Sequence, residues 1–142
     1  TLHPEKTRIV DAGGRGGVDF LGYHFEQGGK RWPSRKAIRA LRDGLRPLVR
    51  RSNGHSMEVT VRRANSILRG WFEYFKHGNP LDLRKVDTWL RMRLRSILWR
   101  RRRRHGIGHG CCHQIWPNAY FHQLGLFSLA TAHVLAHQSA RR

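Results

Sequence analysis

The stretch Val61–Phe75, VRRANSILRGWFEYF, decides how the chain folds, because its apolar residues recur at one helical period. Val61, Ala64, Leu68, Trp71, Phe72 and Phe75 step by three, four, three, one and three, and so share a stripe. Bulky aromatics crowd the last five residues and give this helix a large apolar area. The stripe is expected to be a core face, with Leu68, Trp71, Phe72 and Phe75 as the structural core. Arg62, Arg63 and Arg69 point elsewhere.

Working outward, Pro33 and Ser34 mark a preceding helix start, Ser34 being a good N-cap. Ile38, Leu41, Leu45 and Leu48 form its apolar stripe. Arg35, Arg39, Arg42, Arg46 and Arg50 recur at spacings of four, three, four and four, and so are expected on one face. Asp43 is the only acid between Ser34 and Asn53, and a solvated face normally mixes signs, so phosphate binding explains the stripe better than solvation does. Pro47 is expected to bend the last turn. After the central helix, His77-Gly78-Asn79-Pro80 is a stop.

A third helix is expected from about Leu83 to Arg103, with Val86, Leu90, Leu94 and Ile97 inward and Trp89 and Leu98 beside them. Outward lie Arg84, Lys85, Arg91, Arg93 and Arg95, then the run Arg100, Arg101, Arg102, Arg103, Arg104, whose like charges repel unless a polyanion neutralises them. Three amphipathic helices joined by short loops make a small antiparallel bundle.

At the N-terminal end, Lys6–Val10 and Val18–Phe25 read as two strands of a hairpin around the loop 11–17. Gly22 inside the second strand suggests a bulge or close approach of another backbone. Arg31-Trp32 reads as a short return strand. At the other end, residues 104–115, RHGIGHGCCHQI, have no apolar periodicity and read as loop. His105, His109, Cys111, Cys112 and His113 are ligand types, but adjacent cysteines cannot easily both reach one tetrahedral ion, and no metal site is assigned. Trp116, Tyr120, Phe121 and Leu124 suit a short helix closing the bundle, and Ser128 caps a last helix through His137. The alternative is that Trp116, Tyr120 and Phe121 stack on unpaired bases.

The chain of 142 residues can bury one modest core. Its 28 Lys and Arg against nine acids give a net charge of +19, which points to a polyanion, nucleic acid before membrane. No apolar run approaches the roughly 20 residues of a spanning helix, and the start carries no signal-peptide pattern. The two cysteines are sequence neighbours, poor material for a disulfide framework. A bacterial cytoplasmic, nucleic-acid-associated chain is expected, and a start at Thr1 suggests a piece of something longer.

Asn65, Ile67, Leu68, Arg69, Gly70, Trp71, Tyr74 and Phe75 resemble the N-x-I-L-R-G-W-x-x-Y-F motif of the maturase (thumb, or X) domain in group II intron-encoded reverse transcriptases. Leu2, Lys6 and Thr7 resemble the L-x-x-x-K-T ending of the palm in that family, and Phe20-Leu21-Gly22-Tyr23 resembles its F-L-G-[FY] primer-grip hairpin. Trp116 to Phe121 and Gly125 to Leu129 resemble its W-x-N-x-Y-F and G-L-x-S-L patches, so the resemblance spans nearly the whole chain. It implies a mainly α fold. The end of a palm would occupy 1–32, a three-helix thumb 33–104, and a loop with C-terminal helices 105–142. It makes Lys6 a phosphate contact or proton donor, the other reading being an ordinary strand lysine.

The resemblance further implies a maturase that holds group II intron RNA while the RNA carries out splicing, and that holds an RNA–DNA template-primer for reverse transcription. The parent would be an RNA-directed DNA polymerase using Mg²⁺. Polymerisation needs metal ions on clustered aspartates, whereas Asp11, Asp19, Asp43, Asp82 and Asp87 are scattered, and the Y-x-D-D turn is expected before Thr1. No catalytic residue and no cofactor is therefore assigned within this chain. The runner-up is a DNA-binding module of a mobile-element protein with one basic helix in a major groove, where Asn65 and Arg69 would read bases if exposed.

Overall fold

Ser56 accepts a hydrogen bond from the Val59 amide at 3.3 Å, and this cap starts the central helix α2, Met57–Phe75. In the computed structural model, which describes residues 17–26, 30–105 and 110–141, the fold is mainly α, with a small sheet preceding the helices. On α2 the expected stripe is buried at Val61, Ala64, Leu68 and Phe72. Trp71 and Phe75, expected in the core, are only half-buried. The last turn of α2 meets the sheet instead, where Phe75 packs on Tyr23 at 5.1 Å between ring centroids and Trp71 stacks on Phe75 at 4.6 Å.

Helix α1, Arg35–Leu45, begins at Ser34, whose Oγ accepts from the Ala37 amide at 3.2 Å. Pro47 ends the helix rather than bending it, because it has no N–H to give the Asp43 carbonyl, and residues 46–49 form turns. Helix α3, Pro80–Arg101, starts earlier than expected: Asn79 caps the Leu81 amide at 2.9 Å and Pro80 takes the first helical position. Leu83, Val86, Leu90, Leu94 and Ile97 form its buried face.

Residues 104–115, expected as loop, contain a short helix α4, Cys111–Ile115. Cys112 and Trp116 lie one turn apart and are both buried, a repeat too short to register as periodicity in the sequence. Then come α5, Asn118–Gln123, and α6, Leu129–Ala140, the latter capped by Ser128 as expected. One cluster of buried side chains joins α1, α2 and α3 with Cys112, Trp116, Phe121 and Leu129. Helix α1 packs along α2, and α3 along α6.

The sheet has the order β1 (Val18–Phe20), β2 (Tyr23–Phe25), β3 (Arg31–Pro33), antiparallel throughout. The run Val18–Phe25, expected as one strand, folds back on itself at Leu21-Gly22, with Phe20 paired to Tyr23. Both turn residues have positive φ, 51° and 82°, the conformation of a two-residue hairpin that follows strand twist. A Cβ on Gly22 would sit 3.0 Å from the Phe75 ring, so a side chain comes close there, and not the bulge or second backbone expected. The expected partner strand Lys6–Val10 and the loop lie outside the described residues, apart from Gly17. Among the described residues no helix is long and apolar enough to cross a membrane.

Candidate nucleic-acid interface

Arg35, Arg39, Arg42 and the C-cap Arg46 fall on one side of α1, as expected, but do not all face solvent alike. Arg35 and Arg39 are exposed, and Arg50 is exposed but beyond the helix end. Arg42 and Arg46 turn toward α3, where their guanidiniums lie 5.6 and 5.7 Å from the centre of the Trp89 ring. Indole attracts cations through its π face, so Trp89 holds two positive charges side by side. Arg46 also pairs with Asp43 at 3.2 Å, on the surface. Arg93, half-buried, lies one turn beyond Trp89 on α3, and Arg100 lies two further turns on, so basic residues follow one side of the helix for about 16 Å at 1.5 Å per residue.

That side runs into the loop between α1 and α2. Arg101 donates to the carbonyl oxygens of Asn53, at 3.3 Å, and His55. Asn53 donates to the Leu48 carbonyl at 2.6 Å and contacts Thr60 Oγ1 at 3.0 Å, and Arg63 on α2 reaches His55 Nε2 at 3.2 Å. The loop is thus pinned to the C-terminal end of α3. Arg51, Arg100, Arg103, Arg104 and His105 line an open cleft of about 440 Å³ there. Arg102 leaves this group and lies 4.8 Å over the Trp116 ring. Arg62 is exposed on α2, and Arg69 lies 5.7 Å from the Phe127 ring. Arg91 is half-buried and borders a separate cleft of about 240 Å³ beside α5 and α6.

Arg95 corrects the sequence reading outright. Expected to face outward toward RNA, it is 3% exposed: Nε donates to the Trp116 carbonyl and Nη2 to Asn118 Oδ1, both at 2.8 Å, and the guanidinium lies 5.2 Å over Phe121. Burial lowers its pKa from the usual arginine value, and the Arg91 charge adds to the effect, yet a guanidinium stays charged. Asn65 is likewise taken away from base reading. It is buried, donates to the Gly125 carbonyl and accepts from the Phe127 amide, both at 2.7 Å.

Two residues with structural work went unrecognised in the sequence. Asp87, buried on α3, accepts from Ser128 Oγ at 2.8 Å, the Leu129 amide at 3.0 Å and the Ala130 amide at 3.1 Å, and so caps α6 from outside. His133 on α6 is buried with Nε2 2.9 Å from His137 Nε2. A signal for Asp87 was present: it lies four residues after Leu83 and three before Leu90, inside an apolar stripe.

At the hairpin, Phe20 and Leu21 are 62% and 68% exposed while Tyr23 is buried. Tyr23 donates its hydroxyl to the Tyr74 carbonyl, and Tyr74 donates to the Leu21 carbonyl at 2.9 Å, which ties the hairpin to α2. Lys6 lies outside the described residues. The described carboxylates are dispersed: Asp87 caps α6, Asp19 pairs with His24 at 2.5 Å, Asp82 with Lys85 at 3.6 Å, and among the described residues no three His, Cys, Asp or Glu side chains gather into a metal-holding group. Burial pushes the Cys112 thiol up from its usual pKa, with Cys111 adding to the rise, and this disfavours the thiolate that a metal would need. Trp116 and Phe121 are buried under Arg102 and Arg95, so the bases that they were offered for stacking meet covered rings.

No curated protein matches the chain. The family model for the group II intron maturase-specific domain matches residues 38–116, from the first apolar turn of α1 through α4 to the tryptophan that Arg95 holds. That stretch is more than half of the chain, and the chain belongs to the group II intron maturase-specific domain family.

Proposed function

We propose that the chain binds structured RNA, that of a group II intron, along the basic side formed by α1, the 46–56 loop and α3, and so assists folding and splicing of the intron. The observation that carries this is the pair Arg42 and Arg46 on Trp89. Two guanidiniums already ordered on a protein ring lose less freedom when phosphates arrive than free surface arginines do. Exposed Arg35, Arg39 and Arg100 continue the same positive side. The protein's part is to neutralise and position phosphates, with the RNA performing transesterification itself. Holding a template-primer for reverse transcription in the parent protein uses the same chemistry.

The test is a filter-binding titration of the 142-residue chain against folded intron RNA at several salt concentrations. With about five to eight phosphate contacts, log K falls against log salt with a slope of roughly −4 to −7. A slope near zero overturns the reading. Duplex DNA bound as tightly as RNA would transfer the proposal to the DNA of a mobile element.

A further inference from the structure

We propose that the cleft lined by Arg51, Arg100, Arg103, Arg104 and His105 is a site for crowded phosphates, distinct in its ligand from the extended basic side of α1 and α3. The inference rests on the RNA reading above and deepens it. Among the described residues the lining is four arginines and one histidine. Their placement follows from the way that the run Arg100 to Arg104 divides. Arg101 is committed to the carbonyls of Asn53 and His55, and Arg102 to the Trp116 ring. Those two anchors fix the loop and the helix end as walls, and Arg100, Arg103 and Arg104 border the space between them.

The backbone gives an independent reason. Arg103 follows the C-cap Arg102 and has φ of 56°, the left-handed conformation that helix ends ordinarily give to glycine. A side chain is strained at that position, and here it is a charged one that borders the cleft together with Arg100 and Arg104. Bringing these like charges together is unfavourable unless an anion neutralises several of them at once. A smooth RNA helix presents its phosphates spread along a line. Groups crowded into one small space occur where an RNA strand turns sharply or at a terminal triphosphate, and guanidinium forks suit either.

The test uses the whole chain with Arg103→Gly and, as a second variant beyond the helix, Arg104→Gln. Glycine suits the backbone at 103, so the melting temperature stays the same or rises while the cationic side chain is lost. The probes are a 5′-hydroxyl RNA hairpin, the same hairpin with a 5′-triphosphate, a blunt RNA duplex, and inorganic triphosphate as competitor. Both variants are expected to bind a hairpin about tenfold more weakly and to lose competition by triphosphate, with duplex binding much less affected. A preference of wild type for the 5′-triphosphate hairpin assigns the site to a chain end, and equal binding of the two hairpins assigns it to the bend. Wild-type affinity and competition in both variants overturn the cleft proposal alone, provided that Arg39→Ala weakens duplex binding. Absence of salt-dependent RNA binding in the wild type overturns the RNA reading and the cleft with it.

Discussion

Arg95 donates from inside the fold to the carbonyl oxygen of Trp116 at 2.8 Å, so a residue that counts as surface charge in the composition is a structural tie. With Asn65 and Asp87 it completes a set. Each directly follows a fully buried residue of an apolar stripe, Ala64, Val86 or Leu94, and each reaches across to the segment 116–130. Three polar side chains on α2 and α3 thereby lock the C-terminal part of the chain onto the helices. Arg95→Ala should cost about 2–4 kcal/mol, since it strands the Trp116 carbonyl and removes the aliphatic stem from the core. Lysine should rescue little, because one ammonium cannot serve two acceptors in the fork geometry. Chemical denaturation measures the loss, and a variant within about 0.5 kcal/mol of wild type would return Arg95 to the surface.

Asp87→Ala removes an acceptor from one hydroxyl and two amides at the start of α6. The expected cost is about 2–3 kcal/mol. Hydrogen exchange should show the loss concentrated in α6 and its junction with α3. Uniform loss of protection across α1 and α2 would contradict a local capping role.

Leu68 and Trp71 lie on one stripe of α2 but not in one environment. Leu68→Ala, at a fully buried site, should cost about 3–4 kcal/mol, whereas Trp71→Ala should cost about 1–2 kcal/mol because the indole is half-buried. The Trp71 Nε1 atom is enclosed without a hydrogen-bond partner among the described residues. Trp71→Phe should therefore leave stability unchanged or raise it slightly by removing an unsatisfied donor. Paired thermal melts would decide, and a larger loss for Trp71→Ala than for Leu68→Ala would reverse the assignment.

Which parts of this molecule could be read from its sequence follows from what periodicity reports. It reports faces, so the stripes of α1, α2 and α3, the caps Ser34 and Ser128 and the stop before Pro80 were all legible. It does not report how far a stripe extends into the core, and Trp71 and Phe75 stop short of it because the end of α2 meets a small sheet rather than another helix. Charge was the weakest guide to position. Arg95 and the half-buried Arg42 resemble Arg39 in any count, and only tertiary contacts with Trp116 or Trp89 separate them. The hairpin at Leu21-Gly22 was hidden because leucine rarely accepts positive φ.

The last prediction concerns pH. His133 and His77 both have pKa values below the usual histidine value, each lowered chiefly by burial. For His133 the nearby His137 and His77 add to the lowering and a hydrogen bond with the Gly78 backbone opposes it. For His77, Arg31, Lys76 and His137 add to it. A depressed histidine binds its proton more readily in the unfolded chain, so the unfolded state takes up more protons as pH falls and stability drops with it. The contribution of the neutral pair is fully present above the unfolded value of about 6.5 and is lost as pH falls from there toward the lower folded values. Helix α6, which carries His133, should loosen first, since a charge on that buried ring is poorly solvated and disturbs its 2.9 Å contact with His137. Thermal melts between about pH 7.5 and about pH 5 should show a falling midpoint that is shallower in His133→Gln, with the two proteins converging at the acid end. Parallel curves for the variant and wild type would show that His133 does not titrate differently on folding and that the acid sensitivity comes from other groups.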